Sequence, residues 1–328
     1  MHLDLNNAHL LVTGGAGFMG SAFIRFVLKQ KEFQGHVTNL DLLTYAGNLE
    51  NLERVQEDER YTFHQGNIAD RALLEKIQKE RPIEAIVHFA AETHVDRSIT
   101  GPDVFMETNI MGTYHLLEFV RSYPAIHFHH ISTDEVYGAL GKEGVFTEES
   151  PYKPNSPYSA SKGASDHLVR SYGVTYKIST TLSHASNNYG PGQYPEKFIP
   201  LMIQNILRKK ALPMYGAGEN IREWLFVEDH ARAIWTILER GGKGEVYNIG
   251  GESEMKNIDL LHLLIEVMEE IIEEKVDRNL ITYVTDRPGH DYRYAMDRTK
   301  IRALGYRPIW PLKAGLHETI RSMQKECV

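Results

Sequence analysis

The chain is poor in cysteine, in long apolar runs and in excess positive charge, and each shortage closes a class of function. Its one cysteine, Cys327, has no second cysteine to bridge to, which fits a reducing compartment. No apolar stretch approaches the ~18 residues of a membrane-spanning helix. Met1-His2-Leu3-Asp4 has no basic region leading into an apolar one, so a soluble, cytoplasmic protein without a membrane partner is expected. Lys and Arg number 36 against 44 Asp and Glu, a net charge of −8, and no nucleic-acid partner is expected from that balance. At 328 residues the chain exceeds the ~100–200 of a usual domain, so one large domain or two closely joined ones are expected.

From residue 8 to about 185, short β-branched or apolar runs alternate with longer helical patterns, the signature of βαβ units and a doubly wound parallel sheet of the α/β class. Strands are predicted at Ala8–Thr13, Val37–Leu40, Tyr61–Gln65, Ala85–Phe89, Ile126–Ser132 and Ile178–Ser183. Apolar spacing predicts helices at Phe18–Gln30, Arg71–Lys79, Val104–Arg121 and Tyr158–Tyr176. After Asn187-Asn188-Tyr189-Gly190-Pro191-Gly192 the texture turns to prolines and short mixed elements. A smaller mixed C-terminal lobe that binds substrate is expected over 186–227 and 251–328. Glu228–Glu239 reads as a helix and Glu245–Ile249 as a strand, so residues 1–185 plus about 228–250 are assigned to the first lobe. The acidic stretch around Glu266–Lys275 reads as a solvated helix face.

Gly14-x-x-Gly17-x-x-Gly20 follows the first predicted strand and opens the first helix. Glycines in that context allow a tight turn and leave free amides at a helix N-terminus to receive a pyrophosphate. Asp41 ends the second strand, 21 positions after Gly20, close to the offset at which an acid accepts ribose hydroxyls in a Rossmann sheet. A carboxylate there repels a 2′-phosphate, and Leu42-Leu43-Thr44 offers no arginine to hold one, so NAD is favoured over NADP. Gly66-Asn67-Ile68 and Phe89-Ala90-Ala91-Glu92-Thr93 lie at later strand ends, where ligands bind in such sheets.

Tyr158 and Lys162 are four apart and share a helix face, and Pro157 suits the helix start. A lysine charge lowers the tyrosine pKa, and the phenolate so prepared takes a hydroxyl proton while hydride leaves the same carbon for a nicotinamide. Thr133-Asp134-Glu135 closes the run that begins at Ile126. Two adjacent carboxylates in a cleft of low dielectric do not both ionise freely, so one stays protonated as an acid and the other charged as a base. An isolated Asp-Glu is most often a solvated turn; opposite a Tyr-x-x-x-Lys pair it points to elimination of water beyond simple oxidation.

Taken in this order, the motifs resemble the extended short-chain dehydrogenase/reductase superfamily, and within it the nucleotide-sugar 4,6-dehydratases. The resemblance is carried by Ala90-Ala91-Glu92-Thr93-His94-Val95-Asp96-Arg97-Ser98, Ser132-Thr133-Asp134-Glu135-Val136-Tyr137-Gly138, Tyr158-Ser159-Ala160-Ser161-Lys162, Ser186-Asn187-Asn188-Tyr189-Gly190-Pro191, Pro195-Glu196-Lys197-Phe198-Ile199-Pro200, Arg222-Glu223-Trp224-Leu225-Phe226-Val227-Glu228-Asp229-His230 and Asp286-Arg287-Pro288-Gly289-His290-Asp291. These segments span nearly the whole chain.

The resemblance implies an NAD-dependent lyase acting on dTDP-glucose for deoxysugar (for example rhamnose) and surface polysaccharide synthesis. UDP-glucose is the rival substrate and a 4-epimerase the second enzymatic reading; a non-catalytic dinucleotide sensor has no need of the whole catalytic set. Thr133, Asp134, Glu135, Tyr158 and Lys162 are the implied catalytic residues: Tyr158 base at the 4-hydroxyl, Thr133 holding the same oxygen, Glu135 base at C5 and Asp134 acid to the 6-hydroxyl. NAD is implied at Gly14, Gly17, Phe18, Met19, Gly20, Asp41, Leu42, Thr44, Asn67, Ile68, Phe89, Ala90, Ala91, Thr93, Thr108, Tyr158, Lys162 and Asn188. The nucleotide sugar is implied at Thr93, Thr133, Asn187, Glu196, Lys197, Phe198, Pro213, Tyr215, Arg222, Asn257, Arg287 and His290, with Glu196 and Pro213-Met214-Tyr215 at the base. A homodimer is implied, packed through Val104–Arg121 and Tyr158–Tyr176. Two positions depart from the family: Asn67 stands where an aspartate usually meets the adenine, and Leu182-Ser183-His184-Ala185-Ser186 replaces the usual Arg-Cys-Ser. His127, His129 and His130 resemble a metal cluster, yet strand alternation divides their faces and the reaction needs no metal, so packing is expected.

Overall fold

A computed structural model of the chain describes residues 4–286 and 289–326. Six strands form in the first half: β1 (His9–Thr13), β2 (His36–Asp41), β3 (Tyr61–Gln65), β4 (Ala85–His88), β5 (His127–Thr133) and β6 (Ser179–Ala185). The second half adds β7 (Asn187–Tyr189), β8 (Leu212–Tyr215), β9 (Ile221–Phe226), β10 (Val246–Ile249), β11 (Glu254–Lys256) and β12 (Ile281–Val284). The main sheet has seven strands in the order β10-β6-β5-β4-β1-β2-β3, all parallel. Its order reverses between β1 and β4, so their carboxyl ends open a crevice where ligands bind in doubly wound sheets. Two small sheets, β11-β9-β7 and β12-β8, surround a separate apolar core that includes Ile203, Trp224, Leu264 and Leu316. Strand β10 pairs with β6, so the chain returns to the main sheet after its first visit to the small ones.

Hydrophobic burial supplies most of the cohesion, at roughly 1.5–3 kcal/mol per large apolar side chain. Two clusters cover the main sheet, one built on Leu10, Val12, Phe23 and Ile24, the other on Leu11, Ile86, Leu117 and Phe128. The alternation of Leu10, Leu11 and Val12 between them is the period-two rule of a strand buried on both faces.

Strand β5 departs from the apolar composition usual in such a sheet. All seven of its residues are buried, three of them histidines. Two of these rings are satisfied by a ladder of hydroxyls on β6. His127 meets Ser179 and Thr181 at 2.8 Å each, and His129 meets Thr181 at 2.8 Å and Ser183 at 3.1 Å. A buried polar ring so partnered avoids most of its desolvation penalty. The expectation of packing for these rings agrees with this geometry, and His130 faces the other way, toward Asp166.

One helix departs from its predicted form. Residues 104–121 read as a uniform α-helix; the chain instead forms Asp103–Phe105, a π-helical stretch at Met106–Gly112 and an α-helix at Thr113–Ser122. Each π turn widens the helix by about one residue. Asn109 lies within this stretch, where its side chain accepts from Glu92 N at 2.8 Å and donates to Glu92 O and Ser161 Oγ. Those bonds tie the helix to the loop after β4 and to the Tyr158 helix, a tertiary constraint that apolar spacing does not report. The strand predicted to end at Phe89 ends at His88.

Burial holds His127 down to about 4 and His129 well below its ordinary value. The unfolded chain protonates these rings as pH falls through about 6.5 while the folded chain resists, so their contribution to stability is full above that value and is lost toward pH 4. Taking the pH from neutral to about 4 removes of order 3 kcal/mol of stability through His127 alone. The urea midpoint should fall between about pH 7 and about pH 4.5, and fall less in His127→Gln, as followed by circular dichroism. An identical fall in the variant would remove His127 from this account.

Candidate active site

The crevice at the carboxyl ends of the main sheet widens into a cleft of about 640 Å³ that continues between the main sheet and the small ones. Its floor begins at the glycine turn after β1. Gly14 holds φ +70°, and a Cβ on it would lie 2.6 Å from Ala90 N, so only glycine lets the turn and the loop after β4 touch. A Cβ on Gly20 would lie 2.3 Å from Gly14 O, which fixes the helix against the turn. At Gly17 the nearest atom to such a Cβ is Gly14 O at 3.2 Å, so a side chain there would occupy the cleft itself.

Asp41 ends β2 buried, its two oxygens accepting from Ala16 N at 2.9 Å and Leu43 N at 2.8 Å. Its orientation over the turn is therefore set by backbone. Farther along the wall, Asp134 Oδ2 and the amide oxygens of Asn187, Asn188 and Gln193 are buried without a hydrogen-bond partner, and all four residues line the cleft. Buried polar atoms are normally paired, so these are groups that a polar ligand would satisfy. A glycine floor open at Gly17, an acid at the second strand end and unsatisfied oxygens along the wall fit an extended dinucleotide and a second polar ligand.

Strand β5 delivers the reactive cluster. Thr133 is its last residue, and its hydroxyl accepts from Glu135 N at 3.3 Å as the chain turns into a short 3-10 helix, Asp134–Tyr137. That turn gives consecutive carboxylates different surroundings. Asp134 is 2% exposed, while Glu135 is half-buried on the cleft wall. Burial, with Glu135 beside it, pushes the Asp134 carboxyl well above the ordinary range, and Arg222 opposes the effect only in part. The protonated form of Asp134 is thus favoured over that of an ordinary carboxyl.

Tyr158 and Lys162 sit on one face of the helix Pro157–Tyr176, whose start is fixed by a Ser156/Ser159 capping box and Pro157. In the protein alone the phenol is not acidified: burial, then the charge of Glu135, pushes Tyr158 up, and a hydrogen bond with Thr133 works the other way. Lys162 lies beneath the cleft wall. Its ammonium donates to Ile131 O at 2.8 Å and lies 3.4 Å from His130 Nε2. Burial lowers it to about 8, with Asp166 opposing, so it is still charged at neutral pH.

Under Lys162 lies a cluster that the motifs did not predict. Asp166 receives Ser132 Oγ at 2.8 Å and meets His184 Nε2 at 3.2 Å and His130 Nε2 at 3.3 Å. Burial alone would raise this carboxyl, but the hydrogen bonds from His130 and His184 outweigh it and hold it below the usual range. His184 also bonds Tyr137 and Tyr152 at 2.8 Å each, so the departure at 182–186 is absorbed by an internal network. The available signal was the four-residue spacing from Lys162 to Asp166, one helical turn on the same face.

The implied site residues among those described all line this cleft except Lys162; Arg287 lies outside the described residues. Glu196 is bound by neighbours that the motif reading left unassigned. It accepts from Arg97 at 2.7 Å and Tyr45 at 3.2 Å, with His94 at 3.6 Å. Its carboxylate thereby ties the segment after β7 to residues that follow β2 and β4. Lys197 donates to Thr93 O at 3.0 Å. Arg222 is buried, donates to the carbonyls of Ile221 and Asp291, and lies 4.5 Å over the Tyr294 ring. His290 meets Asp286 at 2.6 Å. No group of three or more His, Cys, Asp or Glu side chains is placed to hold a metal ion among the described residues.

Residues 11–319 match the family described as GDP-mannose 4,6 dehydratase. The chain is 51% identical over 328 residues to dTDP-glucose 4,6-dehydratase of Neisseria meningitidis serogroup B, covering 95% of this chain and 92% of that protein. It is 50% identical over 331 residues to dTDP-glucose 4,6-dehydratase 1 of Escherichia coli K12, covering 95% and 91%. The chain belongs to the dTDP-glucose 4,6-dehydratase family. Its fold superposes on the dTDP-glucose 4,6-dehydratase of Bacillus anthracis, solved in complex with NAD, with a TM-score of 0.89 and 45% identity over 97% of each chain.

The raised Asp134 carboxyl has a direct thermodynamic consequence. The unfolded chain gives up that proton near pH 3.9 while the folded chain keeps it, so the residue costs stability increasingly as pH rises above that value. Asp134→Asn keeps the shape and removes the titration. Its melting temperature should exceed that of the parent at about pH 7.5 and match it near pH 3.5, by scanning calorimetry. A variant no more stable at the higher pH would mean that Asp134 ionises normally.

Proposed function

We propose that this chain is an NAD-dependent dTDP-glucose 4,6-dehydratase, converting dTDP-glucose to dTDP-4-keto-6-deoxyglucose and water. The observation that carries the reading is the unequal burial of Asp134 and Glu135 beside Tyr158 and Thr133. Gly14, Gly17, Gly20 and Asp41 would hold NAD, which when bound would supply reversible hydride exchange with the sugar and, in its oxidised form, a positive charge that favours the Tyr158 phenolate.

The side chains do the rest. Tyr158 takes the 4-hydroxyl proton, with Thr133 on the same oxygen. The new 4-ketone acidifies C5–H, which Glu135 removes while Asp134 gives its proton to the departing 6-hydroxyl. Glu135 then returns its proton to C5. An acid–base pair of this kind is what separates elimination from epimerisation, which needs only Tyr158, Lys162 and a rotating keto sugar.

The division of labour follows the two lobes. Residues 1–185 with about 228–250 hold NAD; residues 186–227 and 251–328 hold the nucleotide sugar, with Arg222 and Lys197 toward the diphosphate and Tyr215 toward the base. The contiguous apolar core within 189–323 supports that boundary. A homodimer is the proposed assembly, supported by exposed Val104, Met111, Val174 and Tyr176 on the two helical segments expected to form it. A cytoplasmic site of action, in a deoxysugar route, is inferred from the same substrate.

Incubated with dTDP-glucose, the purified protein should yield a product lighter by one water in mass spectrometry, and an isobaric product would overturn the reading. Glu135→Gln should still bind NAD by fluorescence titration yet lose at least ~100-fold in kcat, within the range that one general base supplies. Full turnover in that variant would remove Glu135 from the mechanism.

A further inference from the structure

The proposed cycle does not leave its side chains as it finds them. Tyr158 gains the proton of the 4-hydroxyl, and Asp134 loses one to the departing 6-oxygen. Glu135 takes a proton from C5 and gives it back, and the hydride lost at C4 is matched by the one gained at C6. After product forms, Tyr158 carries one proton too many and Asp134 one too few. The next turnover needs both reversed.

A single hydroxyl stands between them. Thr133 Oγ1 donates to Asp134 Oδ1 at 3.2 Å, and Tyr158 lines the same cleft, near enough for Thr133 to bear on its phenol. The three residues are 8%, 2% and 8% exposed for Thr133, Asp134 and Tyr158, so bulk water has poor access to either end. A threonine hydroxyl has one hydrogen and two lone pairs. It donates to the Asp134 carboxylate while accepting from the phenol, or donates to the phenolate while accepting from the Asp134 acid. These are the two states that the cycle must connect, and the bond from Glu135 N holds the hydroxyl in place for both.

We propose, on the dehydratase reading above, that Thr133 resets the site by an internal proton relay from Tyr158 to Asp134. The Tyr158 O–H breaks and its proton goes to Thr133 Oγ1 as the Thr133 O–H breaks and its proton goes to Asp134 Oδ1. New O–H bonds form at Thr133 and Asp134, and no electrons leave or enter. Asp134 Oδ2, buried with no hydrogen-bond partner, is the oxygen left to face the sugar, and a half-turn of the carboxyl brings the hydrogen to that side. Thr133 thus acts twice per turnover, once on the substrate oxygen and once between its neighbours.

The test is rapid-quench mass spectrometry on NAD-loaded enzyme with excess dTDP-glucose, comparing wild type, Thr133→Val and Thr133→Ser. Thr133→Val should show a burst of about one product per site followed by a steady rate at least ten-fold slower than the burst, because the first turnover starts from a correctly protonated site and later ones do not. Thr133→Ser restores the hydroxyl and should show no burst. First and later turnovers slowed by one common factor in Thr133→Val would overturn the relay while leaving the dehydratase reading intact; loss of dehydration in the wild type would overturn that reading instead. If Thr133→Val makes no product, the resting holoenzyme answers. Asp134→Asn should shift the Tyr158 titration, followed by near-ultraviolet absorbance, at least twice as far with Thr133 present as in the Thr133→Val background. Equal shifts in the two backgrounds would overturn the relay.

Discussion

The chemistry of this chain depends on one constraint, the burial of Asp134 where a parallel strand turns into a single 3-10 turn. A charged carboxylate removed from water needs compensation that this position provides only weakly, from Arg222, against the repulsion of Glu135. Asp134 therefore holds its proton more tightly than an ordinary carboxyl, and the neighbour one residue on, nearer solvent, is left to act as the base. Had both residues pointed to water, they would have been two ordinary carboxylates. Had both been buried, neither would be available as an anion.

The rest of the main sheet serves to hold that turn. Strand β5 carries polar side chains through the core because β6 answers them with Ser179, Thr181 and Ser183 in register. On the opposite side, His130, Asp166 and His184 form a closed polar cluster beneath Lys162. A buried polar network of this kind helps to fix its surroundings, which is what a catalytic group needs if it is to meet a sugar hydroxyl within hydrogen-bond reach. The glycine turn, tied to Ala90 by close packing, registers the dinucleotide end of the cleft to the same sheet.

Local signals were enough to read the six strands of the first half and its helices other than Val95–Thr100, the glycine turn, Asp41 and the Thr133-Asp134-Glu135 strand end. Each depends on spacing along the chain and on the chemistry of a few residue types. What was not legible depends on partners far apart in sequence. The π-helical stretch at Met106–Gly112 surrounds an Asn109 bonded to Glu92 and Ser161. Glu196 is fixed by Tyr45, 151 positions away. The phenol of Tyr158 is raised rather than lowered in the protein alone, because burial and Glu135 dominate and the ammonium of Lys162 is engaged by Ile131 O. A four-residue spacing gives a shared helix face; it does not say how deep that face lies.

The most direct test of the central claim is the protonation state of Asp134 itself. Infrared difference spectroscopy between the parent and Asp134→Asn, at about pH 7.5, isolates the carbonyl stretch of a protonated carboxyl at that position. The account predicts such a band in the parent and its absence in the variant. No protonated-carboxyl band, or one that disappears in Glu135→Gln and persists in Asp134→Asn, would contradict it.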